Sequence, residues 1–220
     1  MDPLWVFSEA YNNLILDEKA FKNPIPEIKS LKPKKNIAAY VDRKLYIHNL
    51  GHAATAYLGY NYSPKLKYIY EALEIAEIYK KVEECMNQEA LVLQKEYPAD
   101  LSAEDLKEHI ADLLFRFKNR SLADTIFRVG RDLYRKLDRD DRLVGAMLLA
   151  QKHNCNYSSI CDVFKVGLKF NAKDDSGSIF SPDKDFITKN NSADKRKFVA
   201  EVTGLSELIE NEKEIIENCL

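Results

Sequence analysis

From about residue 36 onward, apolar residues recur every three or four positions with polar and charged residues between them. That period marks helices that bury one face. From Asn36 to Tyr57 the pattern predicts one long helix. Pro64 permits a new helix in which Tyr68, Ala72, Leu73 and Ile75 form an apolar stripe, and the pattern continues from Ile75 to Tyr97, stopping before Pro98. Ser102 stands as an N-cap with Asp105 three residues on, ahead of a helix carrying Leu106, Ile110, Leu113 and Leu114. Three further helices are expected at about 140–153, 157–169 and 193–217.

Three stretches break the period. Near the start, Trp5-Val-Phe-Ser8 and Leu14-Ile-Leu16 flank a polar Tyr11-Asn12-Asn13, which suits a hairpin and leaves a helix open. Asn23 to Lys35 carries Pro24, Pro26 and Pro33 and reads as irregular linker. Asn171 to Ser192, with Asp174-Asp-Ser-Gly177 and Pro182, reads as a loop with a short turn. The expected fold is mainly α with a short extended segment at the N-terminus. Those opening residues look like the last strands of a sheet the chain does not contain. Residues 1–35 are therefore expected to be a residual segment and linker from a missing domain, and residues 36–220 a helical domain.

Composition narrows the partners. A chain of 220 residues makes one or two domains, and its 31% charged and 45% hydrophobic content is ordinary for a globular protein. The net charge of -2 gives no general attraction to nucleic acid or an anionic membrane. No apolar run approaches the roughly 20 residues of a membrane span, and Met1-Asp2-Pro3-Leu4-Trp5 lacks the basic and apolar regions of a signal peptide. Cys85, Cys155, Cys161 and Cys219 form no CxxC pair and read as reduced thiols of a cytoplasmic protein, a disulfide being left open. Only 7 glycines are present and no two make G-x-G, which excludes a dinucleotide-binding turn and a P-loop.

One run carries candidate chemistry: Lys44-Leu-Tyr-Ile-His48-Asn49-Leu-Gly-His52. At about 100° per residue, with Lys44 at the origin, His48 falls at about 40°, His52 at about 80° and Asn49 at about 140°. All four point into one half of a helix. Partial burial disfavours an ammonium, so a partly buried lysine can accept a proton near neutral pH. Asn49 and His52 could donate to an oxygen on which charge builds. The plainer reading is a solvated helix face. A zinc site on His48 and His52 would have Asn49 in place of the usual glutamate and no third ligand, so no metal is expected. A second run gathers Arg128, Arg131, Arg135 and Lys136 within nine residues. As a helix it would put the three arginines on one face, suited to a phosphate; a solvated charged turn is the alternative.

Lys44-x4-Asn49-x2-His52, set in Asp42-Arg-Lys-Leu and followed by Thr55-Ala-Tyr-Leu-Gly59, resembles the signature of the polyol-specific long-chain dehydrogenases, nearest the branch that acts on a phosphorylated hexitol. Arg128-Val-Gly-Arg131-Asp-Leu-Tyr-Arg135-Lys136-Leu, then Asp141-Arg142-Leu143, resembles a second block of that family, with Leu133 where relatives often have proline. The resemblance implies a two-domain enzyme: a Rossmann-like domain that binds NAD, and a multihelical catalytic domain, similar to the C-terminal domain of 6-phosphogluconate dehydrogenase, which this chain would be. It implies Lys44 as general base, Asn49 and His52 as partners of the reacting oxygen, and Arg128 with Lys136 as holders of the sugar chain. The chain alone would be a monomer without turnover. Other readings are a dehydrogenase of an unphosphorylated polyol, a hexuronate reductase, and a non-catalytic helical module.

Overall fold

The computed structural model describes residues 13–192 and 194–220. The expected mainly α fold is what forms. Trp5–Ser8, one arm of the expected hairpin, lies outside the described residues. The other arm is strand β1 (Leu14–Asp17), and it pairs in parallel with β2 (Leu31–Lys34), Leu14 opposite Leu31 and Asp17 opposite Lys34. The expected irregular linker therefore ends in a strand. Pro33 fits there because a two-stranded pair is all edge, where a missing N–H breaks no ladder.

Helix α1 (Ile37–Arg43) runs through a π-helical turn at Lys44–Asn49 into α2 (Leu50–Tyr62). The expected long helix is present, five residues longer and interrupted by a wider turn. α2 is the axis of the fold: Leu50, Ala53, Ala54, Thr55, Ala56 and Tyr57 are fully buried. A helix buried all round needs apolar residues on every side, and its small ones let neighbours come close. A Cβ on Gly51 would stand 2.7 Å from Met86 Sδ. Met86 belongs to α4 (Ala76–Glu96), which follows the short α3 (Ile69–Glu74). α4 is amphipathic, burying Ile78, Val82, Cys85, Met86, Glu89, Val92 and Leu93. Glu89 is the exception to an apolar stripe: it is fully buried and neither carboxyl oxygen has a hydrogen-bond partner among the described residues.

α5 (Ala103–Phe117) starts where expected, with Ser102 Oγ accepting from the Asp105 N–H at 3.1 Å. α6 (Ile126–Gly130) and α7 (Leu133–Lys136) are short, and α8 (Val144–Lys152) and α9 (Ser158–Gly167) match the expected helices. Two expectations fail. The stretch 171–192 is not all loop, because α10 spans Ser181–Ser192. Pro182 sits in its first turn, where a missing N–H costs no bond. The helix expected at 193–217 is two helices, α11 (Lys195–Thr203) and α12 (Glu210–Asn218), parted at Gly204, whose φ of +65° is left-handed. Among the described residues no helix is long and apolar enough to cross a membrane.

Candidate active site

The π turn is where the first charged run lies. With more residues per turn it rotates each residue less than an α turn would, and single π turns inside α-helices recur at functional sites. Lys44 and His48 project into a groove of about 380 Å³, whose wall also includes Leu14 of β1, Tyr40 of α1, and His109 and Arg116 of α5. Lys44 is exposed; the partial burial expected of it is not supplied by these residues. His52 lies one turn further along, its ring 4.9 Å from that of His48. Both imidazoles lean on Phe117, at 5.5 Å and 4.0 Å between centroids.

These histidines are held neutral. Burial, then the charges of Arg116, Lys44 and Arg142, push His48 down to about 4. Burial, then His48, holds His52 well below the ordinary imidazole range. Burial and Arg43 take His109 down to about 3, and its Nε2 has no hydrogen-bond partner among the described residues. A neutral imidazole has one N–H to donate and one lone pair to accept. The groove thus sets the Lys44 amine beside groups that can hydrogen-bond an alcohol without adding charge.

The second charged run is not the single helix face that was expected. Asp132, at φ +76°, breaks it between α6 and α7. The N–H groups of Asp132 and Leu133 donate to the Asp183 carboxylate of α10, at 3.0 and 2.8 Å, so the unexpected helix α10 caps α7. The cations then part. Arg128 is exposed and pairs with Asp124. Arg131 stands over the rings of Phe127 and Phe180, 5.3 and 5.0 Å from their centroids. Arg135 pairs with Asp132 and, at 3.2 Å, with Asp141. Lys136 turns inward, is buried, and donates from Nζ to the carbonyls of Val129 (2.7 Å) and Arg131. Burial, with Arg142 and Arg135 nearby, takes it down to about 7.

The fold does bring the two runs together, through a residue that spacing did not single out. Arg142 is buried, donates from Nε to Asp141 at 2.7 Å and from Nη1 to the carbonyl of Asn49 at 3.3 Å. Its charge is felt at His48, His52 and Lys136 alike. Arg128 is also close enough to act on His52. Sequence reasoning also passed over His109 and Arg116. They are seven residues apart, which puts them on one face of α5, but nothing local says that this face meets the π turn.

The described residues do not fit a dinucleotide. β1 and β2 are joined without a glycine turn, and no Gly-x-Gly exists to admit a pyrophosphate. No three His, Cys, Asp or Glu side chains among the described residues cluster closely enough to hold a metal ion.

Comparison with known proteins places these features. Residues 36–219 match the family described as mannitol dehydrogenase C-terminal domain. The mannitol-1-phosphate 5-dehydrogenases of two strains of Buchnera aphidicola subsp. Acyrthosiphon pisum, Tuc7 and APS, are each 33% identical over 180 residues, covering 81% of this chain and 45% of theirs. The chain thus spans less than half the length of the curated relatives it matches. Among solved structures, Pseudomonas fluorescens mannitol 2-dehydrogenase, in ternary complex with NAD and D-mannitol, superposes with a TM-score of 0.64 at 18% identity, over 87% of this chain and 39% of that one. A substrate-free D-sorbitol dehydrogenase gives 0.67 at 16%, over 92% and 43%. At those identities the likeness is one of fold.

Proposed function

Since the chain belongs to the mannitol dehydrogenase C-terminal domain family, we propose that it is the substrate-binding and catalytic part of an NAD-dependent mannitol-1-phosphate 5-dehydrogenase. The reaction interconverts mannitol 1-phosphate and NAD with fructose 6-phosphate and NADH. The nucleotide belongs to a Rossmann-like domain outside this chain, so the chain alone turns over nothing. The complete protein works as a cytoplasmic monomer.

In this reading Lys44, as the free amine, takes the proton of the C5 hydroxyl in the groove it shares with His48. The Asn49 side chain and the neutral His52 donate hydrogen bonds to that oxygen as it loses its proton. Asn49 can do so only if the π turn keeps its orientation, which Arg142 favours by gripping the Asn49 carbonyl. Arg128, Arg131, Arg135 and Lys136 serve the far, phosphorylated end of the substrate. The observation that carries this reading is the meeting of the two runs at Arg142, within a family match whose bounds include both.

A second reading is an unphosphorylated polyol substrate, or a hexuronate. What favours it is the state of the second run: Arg128 and Arg135 have carboxylate partners and Lys136 is spent on backbone carbonyls. The test is NADH oxidation by the complete protein that carries this chain, with fructose 6-phosphate and fructose compared. Turnover confined to the phosphorylated sugar, and lost in Lys44→Ala, supports the first reading. Turnover of fructose alone moves the substrate to the second reading while leaving Lys44 as base.

A further inference from the structure

A pair of thiols lies outside the groove lining. Cys161 on α9 and Cys219, the residue that closes α12, are 58 positions apart in the chain, yet their sulfurs are 3.1 Å apart. Both side chains are buried against the core, and Cys219 Sγ also reaches Met147 Sδ at 3.8 Å. A disulfide requires sulfurs about 2.05 Å apart, so closing the pair takes a movement of about 1 Å. Cys161 borders a cleft of about 420 Å³ that is also lined by Tyr157, Lys165, Glu214 and Asn218, which gives a small oxidant a way in. We propose that Cys161 and Cys219 are an oxidation site for hydroperoxides, closing reversibly to a disulfide that fastens α12 to α9.

The two sulfurs have unequal roles. The hydrogen bond between the two sulfurs and the nearby Lys165 outweigh burial and favour Cys161 as the thiolate. Its hydrogen bond to Cys161, and its burial, hold the Cys219 proton on. The thiolate is the nucleophile. Cys161 sulfur attacks one peroxide oxygen, the O–O bond breaks, hydroxide leaves and takes up a proton as water, and Cys161 becomes a sulfenic acid. The Cys219 sulfur then attacks the Cys161 sulfur and the S–O bond breaks. The departing hydroxide takes the Cys219 proton as a second water, and the S–S bond forms. Two thiols have lost two electrons to one peroxide. A dithiol reductant reverses the step.

The link would add to the anchoring of α12, which rests on the buried Ile215 and Ile216 and on polar contacts. The Gln151 side-chain amide donates to the Asn211 carbonyl at 2.8 Å, Asn218 donates to the Tyr157 hydroxyl at 2.8 Å, and Arg139 pairs with Glu212 at 2.6 Å. Arg139 belongs to the segment between the second cationic run and Arg142, so a fixed α12 also steadies that segment.

The test is to treat the reduced chain, folded, with hydrogen peroxide, then alkylate the remaining thiols and map the peptides by mass. The expected result is a Cys161–Cys219 cross-linked peptide, two hydrogens lighter than the reduced pair, formed at least tenfold faster than any loss of the Cys85 thiol and reversed by dithiothreitol. The Tm of the oxidised chain should rise by roughly 4–15 °C. In Cys219→Ser the reaction should stop at a Cys161 sulfenic acid that dimedone traps. The proposal is overturned if Cys155 is oxidised while Cys161 and Cys219 both remain alkylatable after unfolding. It is overturned equally if the cross-link forms only once the chain has been denatured.

Discussion

The two polar runs differ in composition and in how they fare. The first, Lys44 to His52, lies on one continuous helical path, and the neighbours expected from its spacing are neighbours in space: His48 and His52 touch, and Lys44 opens on the same groove as His48. The second, Arg128 to Lys136, is richer in basic side chains but is cut at Asp132, so its four basic residues take four environments, from an exposed ion pair to a buried lysine. Helical spacing predicts adjacency only where the helix is unbroken. A single residue with positive φ is enough to scatter a charged face.

The largest expected effect separates chemistry from structure in the first run. Lys44→Ala should lower kcat by roughly 10²–10⁴-fold in the complete protein, and because Lys44 is exposed its Tm should stay within about 2 °C of the parent. A large fall in Tm would mean that the first run is structural too. Next comes the residue joining the runs. Arg142→Met leaves Asp141 without its closest cation and the Asn49 carbonyl without its donor, and should cost about 3–5 kcal/mol in urea unfolding. Cost without loss of kcat in the folded fraction would sever Arg142 from the reaction.

The second run is tested at its break. Gly130 lies just before it, and a Cβ there would come 2.2 Å from the Phe170 ring. Gly130→Ala should destabilise by about 1–3 kcal/mol, because the ring must move in a packed interior. The smallest effect is the pH dependence carried by Lys136. Its folded value of about 7 lies below the 10.5 of an exposed lysine. Between those values the unfolded chain holds a proton that the folded chain has released, so this residue's contribution to stability rises with pH from about 7 to 10.5. The difference in unfolding free energy between the parent and Lys136→Met, measured at pH 7 and pH 9.5, should grow in the parent's favour. A difference that does not change with pH would show that Lys136 keeps its proton in the fold.

Much of this arrangement was legible in the sequence because it is local. The cap at Ser102, the stripes of α4 and α5, and the path from Asn36 through His52 each follow from residues within a few turns of one another. What escaped depends on distant contacts or on backbone dihedrals. α10 falls in a stretch whose turn residues read as loop, yet its Pro182 occupies a first turn, where proline is compatible with a helix. The role of Asp183 as cap to α7, of Arg142 as link, and of His109 and Arg116 as groove wall requires residues 50 to 93 positions apart to meet. The left-handed Asp132 has no strong local signature, since aspartate adopts that conformation only sometimes.

Glu89 turns the core into a proton sink. Burial raises its carboxyl well above the ordinary 4.5, so the folded chain retains a proton there that the unfolded chain gives up. Folding is then coupled to proton uptake. This contribution is fully present below about pH 4.5 and is lost as pH rises towards the raised value in the fold. Replacing the acid by Met removes both unpartnered oxygens. Glu89→Met should therefore gain about 1–3 kcal/mol at pH 8 and much less at pH 4.5, and a gain equal at both would place the benefit in packing alone. The chain carries, within the longest of its described helices, a charge state that must be reset each time it folds.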